Sequence, residues 1–143
     1  MKHSDIATMK TLALDFGAVR IGVAIGDDAI GVAHARTFLP HDAATIEAIN
    51  RLVINEKIGH VLVGHPIGLD GNSTSQTKAA EAFAMQLQQH IYAPVELVDE
   101  RYSSREAHAN LTAGKRRAHE HKKYVDSEAA RIFLQAYFDK DDV

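Results

Sequence analysis

The hydrophobic period of this chain changes near Asp42, and that switch restricts its possible folds more than any other feature. Before it, apolar residues come in short runs or alternate with polar ones. After it, runs of strand length are interleaved with stretches that repeat at helical spacing. Thr11 to Asp15 reads TLALD, a short apolar run that ends in an acid. Phe16-Gly17-Ala18 forms a turn, and Arg20 to Gly26 (RIGVAIG) is a second apolar run. Gly31 to Leu39 (GVAHARTFL) alternates as a third strand, which Pro40 ends. Three short strands joined by tight turns predict an antiparallel meander.

From Asp42, a candidate N-cap, Ile46, Ile49, Leu52 and Val53 sit at helical spacing. His60 to Gly64 (HVLVG) is a continuous apolar run of the kind that forms a buried parallel strand. A loop with Pro66, Gly68, Asp70, Gly71 and Asn72 leads to a helix from about Ser75 to His90, with Ala80, Phe83, Ala84 and Leu87 on one face. Val95 to Val98 is a fifth strand, ending in Asp99-Glu100-Arg101. Ser103 and Glu106 have the form of a capping box, so a short helix is expected there, stopped by Gly114. Lys115 to Val125 is a basic, histidine-containing loop. A last helix starts near Asp126 and should turn Ala129, Ile132, Phe133 and Ala136 inward.

With 143 residues, the chain fits a single domain spanning 1–143, with residues 1–10 as a flexible polar lead. It is too short for a two-domain kinase or a full actin-like ATPase. The absence of cysteine removes disulfide frameworks, thiolate zinc sites and cysteine nucleophiles. A formal charge of −3 argues against a generic basic DNA-coating protein, while leaving room for a local basic patch. No apolar run approaches the roughly 20 residues of a membrane span, and the opening MKHSDIATMK lacks the apolar stretch of a secretory signal. A soluble, cytoplasmic protein without a membrane partner is expected.

Short connections and the right-handed crossover rule place the fourth and fifth strands parallel to the first. The fold class is α/β, with a five-stranded mixed sheet of three antiparallel strands followed by two parallel ones. The C-terminal ends of strands one, four and five then share an edge, which is where open α/β sheets bind ligands. Asp15 and Glu100 would meet there, and Asp126 could close the third side. Mutual repulsion among three carboxylates needs compensation, and magnesium or manganese supplies it through hard cation–oxygen bonding. Two such ions roughly 3.5–4 Å apart, held when substrate is bound, can clamp the attacking and leaving oxygens of a phosphodiester displacement.

The segments LALDFGAVRIGVAIGD, VGHPIGLDGNSTSQ, VELVDERYSSREA and VDSEAARIFLQAYFD, in this order and spacing, resemble the YqgF family. Its members are RNase H-like proteins described as nucleases of precursor 16S rRNA and as similar to Holliday-junction resolvases. The resemblance implies an RNase H-like fold and a catalytic, metal-binding set of Asp15, Glu100 and Asp126. Arg20 and Arg101 match its basic positions and are read as phosphate-facing. The chain departs from the family pattern at Ala18-Val19, where a hydroxyl and a basic residue are commoner. It departs again at His65, where an apolar residue is commoner, and after the GKR that opens the 115–125 loop.

Other readings compete at each position. Asp15 could end a strand and open a turn, Glu100 could pair with a neighbouring arginine, and Asp126 could be an ordinary N-cap. Asp99 and Glu100 alternate along an extended segment, so one points away from the site; Glu100 is assigned inward. Ser73 and Thr74 could donate to a phosphate near a helix N-terminus, although an ordinary strand-to-helix connection accounts for the same loop. Lys115, Arg116 and Arg117 could contact a phosphate backbone, with a solvated loop as the default for such a run. The expected partner is nucleic acid, namely precursor rRNA or the immature small ribosomal subunit. A DNA-junction resolvase, a non-catalytic RNA- or ribosome-binding module and a nucleotide-binding protein are the alternatives.

Overall fold

A computed structural model describes residues 9–65, 75–99 and 125–140, with the backbone alone for 125 and 126. Five strands, β1 (Lys10–Asp15), β2 (Arg20–Asp27), β3 (Val32–Pro40), β4 (Ile58–His65) and β5 (Val95–Asp99), form one sheet in the order β3-β2-β1-β4-β5. β1 pairs antiparallel with β2, as does β2 with β3. β1 and β4 are parallel, as are β4 and β5. This is the expected mixed sheet. The first strand opens at Lys10, inside the segment read as a lead.

The pleat sorts side chains onto two faces. Leu12, Leu14, Ile21, Val23, Ile25, Val61 and Val63 pack against Ile49 and Val53 of α1 (Thr45–Asn55) and against Phe83, Ala84 and Leu87 of α2 (Ser75–Gln88). On the other face, Ala13, Ala24, Ala33 and Leu62 meet Ala130, Phe133 and Leu134 of α3 (Val125–Lys140). The small strand residues under α3 let that helix lie close to the sheet. Gly26 is the tightest case, since a Cβ there would come within 2.5 Å of the Phe138 ring.

Two local expectations are corrected. Asp42 is not the N-cap: α1 starts at Thr45, and Asp42 Oδ1 accepts from the Ala44 N–H at 2.9 Å in a turn before the helix. That turn is closed by Thr45, whose Oγ1 accepts from the Asp42 N–H and donates to the Pro40 carbonyl. In α3, Ile132 and Phe133 are buried as expected, but Ala136 is exposed and Ala129 half-buried; Ser127, Ala130 and Leu134 take the inward positions. The helix expected from Ser103 lies outside the described residues, as does the basic loop except for Val125 at the start of α3.

Lys10, Arg36 and Glu56 tie β1, β3 and the end of α1 together. Glu56 lies 3.6 Å from Lys10 Nζ and 3.2 Å from Arg36. The Arg36 hydrogen bond holds the Glu56 carboxyl below the usual carboxylate range, against partial desolvation, with smaller help from the charges of Arg36 and Lys10.

Candidate active site at the sheet edge

β1, β4 and β5 end together, at Asp15, His65 and Asp99, with Leu14 level with Val63 and His65 level with Asp99. Leu14 belongs to the α1–α2 face, so alternation turns Asp15 to the α3 face, opposite Gly22 of β2. Asp15 is half-buried there. In β5, Val98 packs toward α3, and alternation gives Asp99 the opposite face, away from Asp15.

The β2–β3 ladder is broken beside this point. Ile21 is level with Leu39, but Val23 is level with Arg36, so Thr37 and Phe38 together oppose Gly22 in a bulge. The N–H of Val23, buried at the break, donates to Ser127 Oγ at 2.9 Å. Ser127 is fully buried and sits in the first turn of α3, one residue after Asp126. The far end of the same helix is held by Gln135, whose Oε1 accepts from the Ala33 N–H and whose Nε2 donates to the Gly31 carbonyl. These two pins lay α3 along β2, with its N-terminal turn beside the end of β1. Asp15 and the backbone of Asp126 are thereby brought to one corner of the molecule. The positive end of the α3 dipole adds to the field that favours carboxylates there.

The turn after Asp15 is braced from α1–α2 side groups. Phe16 packs on His41 and Phe83, with ring centroids 4.9 Å away in each case. His41 Nδ1 lies 2.9 Å from the Gly17 carbonyl, and the His41 N–H donates to the Val19 carbonyl. Gly17 has no room for a side chain, because a Cβ would sit 2.5 Å from the Arg20 carbonyl oxygen. His65, on the α1–α2 face, lies 2.8 Å from Glu81 of α2 and does not face the Asp15 corner.

Of the sequence-derived set, Asp15 and Arg20 are described in full and Asp126 by its backbone. Arg20 is exposed at the start of β2, its guanidinium carbon 5.1 Å from the centroid of the Phe38 ring. Glu100, Arg101, Ser73, Thr74, Lys115, Arg116 and Arg117 lie outside the described residues. Among the described residues, no three potential metal-ligating side chains cluster. Among those residues, no helix is long and apolar enough to cross a membrane. Sequence reasoning did not single out Ser127, His41 or Phe38. The acid–hydroxyl pair Asp126-Ser127 opening an apolar helix was a readable signal for the first, whereas the bulge that places Phe38 was not.

A five-stranded sheet in this order, with a helix on one face whose first turn lies beside the end of β1, defines an RNase H-like fold. Two solved resolvases share it: fowlpox virus resolvase with Holliday junction DNA (TM-score 0.56, 14% identity, 92% of this chain and 98% of that one) and Thermus thermophilus RuvC with a Holliday junction substrate (TM-score 0.54, 13% identity, 93% and 95%). The RuvX family model, described as Holliday junction resolvase, matches residues 9–140. The chain belongs to the RuvX family, also called YqgF. Two curated relatives carry the name "Putative pre-16S rRNA nuclease". The one from Anaeromyxobacter sp. (strain K) is 37% identical over 134 residues, covering 92% of this chain and 98% of the relative. The one from Cupriavidus necator is 40% identical over 131 residues, covering 90% and 87%.

Proposed function

We propose that this chain is a divalent-metal-dependent nuclease that hydrolyses phosphodiester bonds in structured RNA, and that its task is 5′-end processing of precursor 16S rRNA. The observation that carries the reading is the corner where Asp15, on the α3 face at the end of β1, meets the first turn of α3 with Asp126. The names of the curated relatives supply the substrate.

In this reading Asp15, Glu100 and Asp126 hold the cation. Asp99 is turned to the face away from Asp15 by the alternation of β5, which counts against Asp99 as the third ligand. Hard carboxylate oxygens from three elements suit magnesium or manganese. When bound, such an ion polarises the phosphoryl oxygens and lowers the pKa of its water. The chain's own part is to hold the three acids at fixed spacing, with Ser127 setting the height of the α3 turn and Gly17 and His41 fixing the turn behind Asp15. Arg20, Arg101, Ser73, Thr74, Lys115, Arg116 and Arg117 contact the phosphate backbone. Backbone contacts of this kind position the strand without reading sequence.

The family model's description favours a second substrate, the four-way DNA junction. Labelled precursor small-subunit RNA and a synthetic junction, each incubated with magnesium, manganese or chelator, separate the two. Metal-dependent cuts in the RNA support the proposal, and cuts confined to the junction move the chain to DNA recombination. Binding of RNA without cleavage of either would leave a non-catalytic module on a nuclease scaffold.

A further inference from the structure

We infer that Phe38 and Arg20 form a stacking subsite for an unpaired nucleobase of the strand that lies across the Asp15 corner. The inference rests on the nuclease reading for what the strand is. Its own support is the β3 bulge.

Phe38 is out of place for a core residue. Its neighbour Leu39 packs against the α1–α2 core, whereas Phe38 belongs to neither of the two apolar clusters found among the described residues. Unbroken alternation would set Phe38 on the same face as Arg36, which reaches Glu56 at the end of α1. The extra residue opposite Gly22 reverses that parity, so Phe38 emerges on the α3 face, the face of Asp15. Bulges beside functional sites re-aim side chains in this way. β3 is two strands from β1, which separates the Phe38 and Asp15 backbones by roughly 10 Å at the usual strand spacing. Arg20 covers the Phe38 ring at 5.1 Å. Just before it stands Val19, 71% exposed at the tip of the turn.

A phenyl ring and a guanidinium plane in contact suit a flat aromatic ligand with an anionic chain attached. A nucleobase can stack on the ring or on the guanidinium, and the guanidinium edge can donate to the adjoining phosphate. Every base has a π-face, so the subsite tolerates sequence and selects for unpaired nucleotides over duplex. The Ala18-Val19 departure from the family pattern falls in the turn that leads into Arg20, where both residues are exposed.

The test uses the full chain with Asp15→Asn, so that binding is read without cutting, and short fluorescent oligouridine as probe. Phe38→Leu keeps the apolar bulk and removes the aromatic face; Phe38→Tyr keeps both. The Leu variant is expected to raise Kd roughly 5- to 100-fold, as for loss of one base–aromatic stack, and the Tyr variant to leave it close to the parent. On the parent without any change at 38, replacing bases one at a time by an abasic site should weaken binding at a single position, and that position should vanish in Phe38→Leu. Equal binding by Leu and Tyr variants, or a flat abasic scan, overturns the subsite. Parallel cleavage by the wild type keeps the two claims apart. Cleavage with a flat scan leaves the nuclease and removes the subsite; a positioned scan without cleavage keeps the subsite and removes the nuclease.

Discussion

Ser127→Ala removes the hydroxyl that accepts the Val23 N–H. Both residues are fully buried, and the bond is 2.9 Å long. The substitution deletes one oxygen and creates little void, so the cost comes from an N–H stranded in the bulge without an acceptor. Such a group costs about 1–3 kcal/mol. For a chain of this size that lowers Tm by roughly 3–15 °C. Urea titration of the wild type and variant measures the difference directly. Gln135→Ala is the matched control, because it removes the two bonds that tie the far end of the same helix to Gly31 and Ala33, together with one to Asp139 within the helix. It should also cost stability, but at a temperature where both variants are fully folded it should retain cleavage, whereas Ser127→Ala should lose most of it. A Ser127→Ala midpoint within about 0.5 kcal/mol of wild type would refute the stability argument. Equal loss of cleavage in the two variants would refute the claim that Ser127 sets the position of Asp126.

Gly17→Ala forces its new Cβ against the Arg20 carbonyl and displaces the turn behind Asp15; cleavage should fall by about a hundredfold, as for an ångström-scale misplacement of reacting groups, with RNA binding largely kept. Gly26→Ala meets both the Phe138 ring and the Val32 carbonyl within 2.7 Å; it should cost about 1–3 kcal/mol by overpacking, read by urea titration, and Phe138→Leu in the same chain should recover part of it. Glu56 has its folded-state pKa lowered, chiefly by Arg36. Its contribution to stability is therefore complete above the ordinary glutamate value of about 4.3 and is lost as pH falls through the lower folded value. Glu56→Gln should be less stable than wild type at pH 7, and the gap should close on acidification below that value.

The sheet was legible because its strands announce themselves locally. TLALD and HVLVG are too short and too apolar for surface helices, and the turn formers between the first three runs leave no length for a crossover. Topology followed from connection lengths, which put Asp15 at the edge where the parallel strands end. Alternation is a weaker guide once the ladder breaks, and nothing in GVAHARTFL marks the position where Thr37 and Phe38 share one partner. Asp42 was misplaced as a cap for a related reason. An aspartate that closes a turn before a helix and one that caps it look alike in sequence, and here Thr45 decided between them by bonding back to Pro40. In α3 the inward face was shifted toward Ala130 and Leu134 because Ser127, a polar residue, is buried to satisfy the sheet. A hydrophobic periodicity has no term for that.

Single-turnover cleavage of precursor small-subunit RNA by wild type and Asp15→Asn, at saturating protein with magnesium or manganese, bears most directly on the central claim. Asparagine keeps the shape of the side chain and removes the charge that would hold the cation. RNA binding and Tm should stay near wild type while the cleavage rate falls by a factor of about a thousand or more, the worth of several kcal/mol of transition-state stabilisation. Cleavage by Asp15→Asn within about tenfold of wild type would contradict that claim, and would move the reacting centre away from the end of β1.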